Sequence, residues 1–128
     1  MIVADTDVLI DYLAGRRPAS EAVAAAIESD QLVTTTVNSF ELLAGARSAG
    51  ERKAVSELLE NISLLSLDPS AARRAAEVRR HLENKGLGIG MGDSLIAGIA
   101  LANGARLLTR NKRHFDRVPG LEVASPVD

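Results

Sequence analysis

The sequence contains no cysteine and no tryptophan, one tyrosine, two phenylalanines and two histidines in 128 residues. Without cysteine there is no disulfide framework, no thiolate metal site and no thiol nucleophile. That absence suits a reducing cytoplasm. Tyr12, Phe40 and Phe115 are too few to form a base-stacking surface, which uses several aromatic rings to hold unstacked bases. With only His81 and His114, a zinc centre is disfavoured. No apolar run approaches the roughly 18 residues of a membrane span. The opening Met1-Ile2-Val3-Ala4-Asp5 lacks the basic segment and long apolar core of a signal peptide, so no membrane partner is expected.

What is present fits one globular α/β domain over residues 1–128. The chain is 46% hydrophobic and 25% charged, which argues against disorder. The net charge of −2 hides an asymmetry: residues 1–68 hold 11 acids and 5 bases, residues 69–128 hold 6 acids and 10 bases. Arg106, Arg110, Lys112, Arg113 and Arg117 crowd one short stretch, where a polyanion could be held or where the charges simply meet solvent.

Periodicity and breakers give the element order. Residues 2–4 read as a buried strand, Val8 to Leu13 as a short helix, and Pro18 to Ser29 as a helix with Pro near its start. Leu32 to Thr35 is a β-branched strand, followed by helices over Val37 to Ala46 and Glu51 to Leu59. Ile62 to Leu67 is a third strand. Asp68-Pro69 is an N-cap acid followed by Pro, opening a helix that Gly86 ends after Lys85. Gly92-Asp93 opens a helix through Ala102. Ala105 to Thr109 is a strand, and Leu121 to Ala124 a weaker one. Strands alternating with helices predict a mainly parallel sheet, with chemistry beyond the carboxyl ends of its strands. Gly86, Gly88, Gly90 and Gly92 are not a dinucleotide fingerprint, because no strand leads into them. They read as a turn before the Asp93 helix.

Four acids stand where apolar or capping residues would suffice. Asp5 directly follows the first strand, while Asp7, just before Val8, suits the helix cap better. Glu41, between Phe40 and Leu42, shares a helix stripe with Val37, Ala44 and Gly45, which is costly for a carboxylate unless it is paired, bound to a cation or reaching water. Asp93 lies on the stripe of Ile96, Ala97, Ala100 and Leu101, although Gly92-Asp93-Ser94 also reads as a simple cap. Asp116 sits in the basic stretch, where taken alone it reads first as a local partner for Arg113 or Arg117. If these acids converge, like charges in one pocket call for a cation. A hard ion such as Mg²⁺ or Mn²⁺ takes such oxygen ligands, activates water and neutralises charge on a phosphodiester.

Taken in order, Val3-Ala4-Asp5-Thr6-Asp7, Phe40-Glu41-Leu42-Leu43-Ala44-Gly45, Gly92-Asp93-Ser94-Leu95-Ile96-Ala97, Leu108-Thr109-Arg110-Asn111, His114-Phe115 and Val118-Pro119-Gly120-Leu121 resemble a PIN domain. Within that family the resemblance is to the VapC-type toxins of toxin–antitoxin pairs. It spans almost the whole chain. It implies a three-layer α/β/α sandwich with a parallel sheet and a metal-dependent ribonuclease that cleaves structured RNA, often tRNA, leaving a 5′-phosphate and a 3′-hydroxyl. It implies a homodimer and a VapB-type antitoxin that covers the active site. Asp5, Glu41 and Asp93 become the acidic cluster, with Asp5 and Asp93 as metal ligands and Glu41 as ligand or water-positioning base. Thr6, Ser94, Thr109 and Asn111 match polar positions that orient the acids. Arg110, Lys112, Arg113 and Arg117 become RNA-backbone contacts. The family often places an acid just before the Phe; here that residue is His114, so either Asp116 supplies the fourth carboxylate or the site has three.

Two other readings remain on sequence alone. Asp5-Thr6-Asp7-Val8-Leu9 is similar to the start of a haloacid-dehalogenase-type phosphatase, with Asp5 as nucleophile. A receiver-type signalling domain would use Asp68 as phosphoacceptor and Lys112 as its partner. Both leave Glu41 without a role. An interaction-only PIN-like domain is a third option, disfavoured by the intact acids.

Overall fold

The structure, a computed structural model, describes residues 1–126. Five parallel strands run in the order β3-β2-β1-β4-β5. They are β1 (Ile2–Ala4), β2 (Leu32–Thr35), β3 (Ser63–Leu65), β4 (Arg106–Leu108) and β5 (Val123–Ala124). Helices α1 (Thr6–Leu13), α2 (Ala19–Glu28), α3 (Thr36–Gly45), α4 (Ala49–Glu60), α5 (Pro69–Asn84), α6 (Met91–Ala102) and the single turn α7 (Lys112–Phe115) connect them. The central strands are buried on both faces, as a parallel sheet covered by helices requires.

Strand alternation builds the three layers. Val3, Val33 and Leu107 face a core with Val78 and Leu82 of α5, Ile96, Ala97 and Ala100 of α6, and Phe115. Ala4, Leu32 and Leu108 face the other way, onto Val8 and Leu9 of α1, Val23 and Ala26 of α2, and Val55 and Leu58 of α4. Successive side chains point to opposite faces, so three-residue strands are enough to anchor two cores.

The caps follow the sequence closely. The Asp68 carboxylate accepts from the Ala71 amide at 2.8 Å, with Pro69 at the start of α5 as expected. Ser48 caps α4, its hydroxyl accepting from the Glu51 amide at 3.0 Å and donating to the Glu51 carboxylate at 3.2 Å, and the helix starts two residues before the expected Glu51. Gly98 permits a close helix crossing: a Cβ there would lie 2.5 Å from the Ala75 backbone nitrogen of α5. Part of the basic stretch, Lys112–Phe115, forms the single turn α7.

The chain passes from β1 outward to β2 and β3, then returns to the other side of β1 for β4 and β5. This reversal leaves a crevice at the carboxyl ends of β1 and β4, where ligands bind in open parallel sheets.

Candidate active site

Asp5 occupies that crevice. Its amide donates to the Leu108 carbonyl at 2.9 Å, extending the β1–β4 pairing by one residue. Its carboxylate is held on both oxygens. Oδ1 accepts from the Thr6 amide at 2.9 Å and the Asn38 side-chain amide at 3.2 Å; Oδ2 accepts from the Thr109 hydroxyl at 2.7 Å. Asp5, not Asp7, therefore caps α1, which begins at Thr6 rather than Val8. A residue extended at a strand end with its carboxylate over the next amides serves cap and crevice at once. Asp5 is 7% exposed, and burial pushes its pKa up from 3.8 to about 6. The Thr109 hydrogen bond opposes this rise, while the charges of Asp7 and Asp93 add to it.

Asp7 is released from capping and turns to the β4 loop. Its carboxylate accepts from the Arg110 amide at 3.2 Å and lies 3.4 Å from the Thr109 hydroxyl. It acts on both Asp5 and Asp93 electrostatically.

Glu41 comes from α3. Its Oε1 accepts from the Thr6 hydroxyl at 2.6 Å. Its Oε2 lies against Gly92 at the start of α6, 3.5 Å from where a Cβ would stand. Asp93 is not a cap either: Gly90 takes that position, leaving Asp93 in the first turn of α6. Asp93 Oδ2 lies 3.0 Å from His114 Nε2, which also approaches the Ile89 carbonyl at 3.2 Å. Both neighbours are acceptors, so Nε2 carries the hydrogen. Burial raises the Asp93 pKa; His114 counters this, and Glu41 and Asp7 reinforce it.

Asp5, Asp7, Glu41 and Asp93 thus form one electrostatically coupled set. Among the described residues no three His, Asp or Glu side chains are drawn tightly enough to enclose an ion. The donors still fit a hard divalent cation in kind, being carboxylate oxygens with no thiolate and with mutual repulsion to relieve.

The structure revises three other expectations. Asp116 is not brought to the cluster; it pairs with Lys112 at 2.9 Å on the exposed side of α7, four residues along the chain. Ser94 does not orient an acid, because its hydroxyl donates back to the Gly90 carbonyl at 2.6 Å. Arg110 stays exposed but is engaged by acids, 3.3 Å from the buried Asp11 and 4.0 Å from Asp7. Of the basic candidates, Arg113 and Arg117 are exposed and make no ion pair among the described residues. Thr6 and Thr109 touch the acids as expected, and Asn111 supports Thr109 through its backbone amide at 3.0 Å.

Asp7, Asn38 and His114 are the residues that sequence reasoning left out or underused. Asn38 had one legible signal, its position three residues before Glu41 and so on the same helix face. The receiver reading loses its pair, since Asp68 caps α5 and Lys112 is held by Asp116.

The PIN domain family profile matches residues 2–121. The chain belongs to the PIN-domain family. Its relatives in that family are VapC-type ribonucleases. Ribonuclease VapC10 of Mycobacterium tuberculosis is 36% identical over 115 residues, 90% of this chain and 86% of the relative. The tRNA(fMet)-specific endonuclease VapC of Shigella flexneri is 30% identical over 123 residues, 93% and 92% of the two chains. Among solved structures, DNA-bound VapBC from Salmonella typhimurium matches with a TM-score of 0.85 at 25% identity, covering 98% of this chain and 97% of that one.

Proposed function

We propose that this PIN domain is the toxin of a VapBC-type toxin–antitoxin pair, an endoribonuclease that hydrolyses structured RNA, with tRNA as the leading substrate class and Mg²⁺ or Mn²⁺ as cofactor. One observation carries this reading: Asp5, Asp7, Glu41 and Asp93 are coupled at the carboxyl ends of β1 and β4, and burial with mutual repulsion raises Asp5 to about 6. Such a cluster gains most from a divalent cation.

Asp5 and Asp93 are the residues that would hold the ion, with Asp7 beside them in place of Asp116. A bound divalent ion lowers the pKa of water and offsets charge on the phosphoryl oxygens. Glu41 has Oε1 tied to Thr6, leaving Oε2 to accept the proton that the attacking water gives up. The water oxygen bonds to phosphorus as the bond to the 3′ oxygen breaks. That oxygen takes a proton from solvent, giving 5′-phosphate and 3′-hydroxyl ends. Arg113 and Arg117 would steer the RNA backbone.

A cleft of about 510 Å³ opens beside Glu41, walled by Ile10, Leu13, Leu42, Ala46 and Val55. A VapB-type antitoxin segment seated there would cover Glu41. Phe40 and Met91, 70% and 65% exposed, flank Glu41 and Asp93 and suit contact with a second copy of the chain. No helix among the described residues is long and apolar enough to cross a membrane, and we place the activity in the cytoplasm, where its RNA is.

Controlled expression tests the reading. Growth arrest is expected, relieved by co-expressing the small protein encoded beside it, and absent in Asp5→Asn and Asp93→Asn. Toxicity retained by both variants would overturn it.

A further inference from the structure

The structure assigns Asn38 as the positioning residue of the acid cluster: its side-chain amide fixes the direction of the Thr6 hydroxyl, and through it the placement of Glu41 relative to Asp5. This rests on the nuclease reading above and extends it.

Asn38 is completely buried in the first turn of α3. Its backbone amide donates to Thr35 Oγ1 at 3.1 Å, so that hydroxyl spends its own hydrogen on Asn38 Oδ1 at 2.7 Å. This identifies Oδ1 as the acceptor and points both Nδ2 hydrogens toward β1. They reach Asp5 Oδ1 at 3.2 Å and Thr6 Oγ1 at 2.9 Å. Having accepted from Asn38, the Thr6 hydroxyl donates to Glu41 Oε1 at 2.6 Å. Every donor in the chain Thr35–Asn38–Thr6–Glu41 therefore has one direction. Asn38 ties two acids from different elements, one directly and one through a hydroxyl. It leaves Glu41 Oε2 free on the side of Gly92 and Asp93.

An aspartate at this position has the same size but only accepts hydrogen bonds. It would place a charge against Asp5 and draw the Thr6 hydroxyl away from Glu41. Thr6→Val breaks the same chain one link later while keeping shape, and Thr6→Ser keeps the hydroxyl.

The test compares wild type, Asn38→Asp, Thr6→Val, Thr6→Ser and Asp5→Asn. Mn²⁺ affinity is read from thermal shift and steady-state cleavage from bulk tRNA, with folding checked by circular dichroism. Asn38→Asp and Thr6→Val are each expected to weaken Mn²⁺ binding and lower kcat by about 10- to 100-fold. KM stays within about twofold, because a group acting through Glu41 changes transition-state stabilisation rather than substrate binding. Thr6→Ser restores both readouts, which a purely structural role for the threonine methyl would not. The double variant Asn38→Asp/Thr6→Val falls no further than either single one. Wild-type Mn²⁺ affinity and kcat in Asn38→Asp and Thr6→Val overturn the assignment. If they occur while Asp5→Asn is inactive, the nuclease reading stands without it. If wild type cleaves no RNA, the nuclease reading fails and the Mn²⁺ affinities alone decide for or against Asn38. Should Asn38→Asp not fold, the Thr6 pair decides.

Discussion

Asp5 illustrates how one residue can satisfy two demands. As cap of α1 and acceptor for Asn38 and Thr109, its carboxylate takes three hydrogen bonds, yet burial among acids keeps its pKa near 6. The folded state then binds this proton more tightly than the unfolded chain does. Between about pH 4 and 6 the folded state holds more protons, so stability falls as pH rises through that window. Asp5→Asn is expected to stabilise the metal-free protein near neutral pH by roughly 1–3 kcal/mol. The gain should vanish below about pH 4, where wild type is protonated too. Denaturation across pH checks this; a variant less stable than wild type at pH 7 would contradict it. Asp116 supplies the opposite case. Paired with Lys112 away from the acids, it is expected to tolerate Asp116→Asn with RNA cleavage within about twofold of wild type, measured on bulk tRNA. Glu41 and Asp93 stand out in the sequence because carboxylates on apolar stripes are costly, and Asp5 because it directly follows the first strand where Asp7 would suffice as a cap. Asp7 reads as the cap that Asp5 in fact supplies, and Asp116 enters the site only through the family pattern, whereas the structure leaves it in a local pair with Lys112.

At the scale of elements, α5 was the most legible: Asp68-Pro69 and Gly86 bracket it, and the structure gives Pro69–Asn84. The four-residue α7 was not, since a basic run without apolar periodicity looks like a loop; only Phe115 ties it to the core. Gly92-Asp93 reads as the helix opening, but Gly90, at a positive φ of 85°, starts α6 earlier and leaves Asp93 to meet His114 rather than to cap. The α5–α6 crossing was also hidden in the sequence. Nothing in a lone glycine within an apolar helix reveals a neighbour's backbone. Gly98→Ala is expected to destabilise the fold by ~1–3 kcal/mol, because a methyl group would overlap Ala75. A lowered urea midpoint checks this; an unchanged midpoint would mean that the crossing relaxes freely.

Across the whole molecule, parallel topology turns a scattered set of acids into one site. The reversal of strand order at β1 lets α1, α3 and α6 deliver Asp5, Glu41 and Asp93 to one crevice, with β4 adding Thr109. The charge asymmetry has a finer grain than sequence alone conveys. Arg106, Arg110 and Lys112 pair with Glu122, Asp11 and Asp116, which leaves Arg113 and Arg117 as the exposed bases of this stretch without an ion pair among the described residues; under the proposed function these two would meet the RNA backbone. Removing divalent cations should therefore lower thermal stability as well as activity, since the ion relieves repulsion that the fold alone bears. EDTA titration followed by melting checks this: cation addition should raise the melting temperature of wild type but not of Asp5→Asn. The most direct measurement is cleavage of structured RNA by purified wild type and Asp93→Asn, each with Mg²⁺ and with excess EDTA. Cleavage to 5′-phosphate ends by wild type with Mg²⁺ alone is the expected result. Equal cleavage by Asp93→Asn, or cleavage by wild type that persists in EDTA, would contradict a carboxylate-held ion at this site.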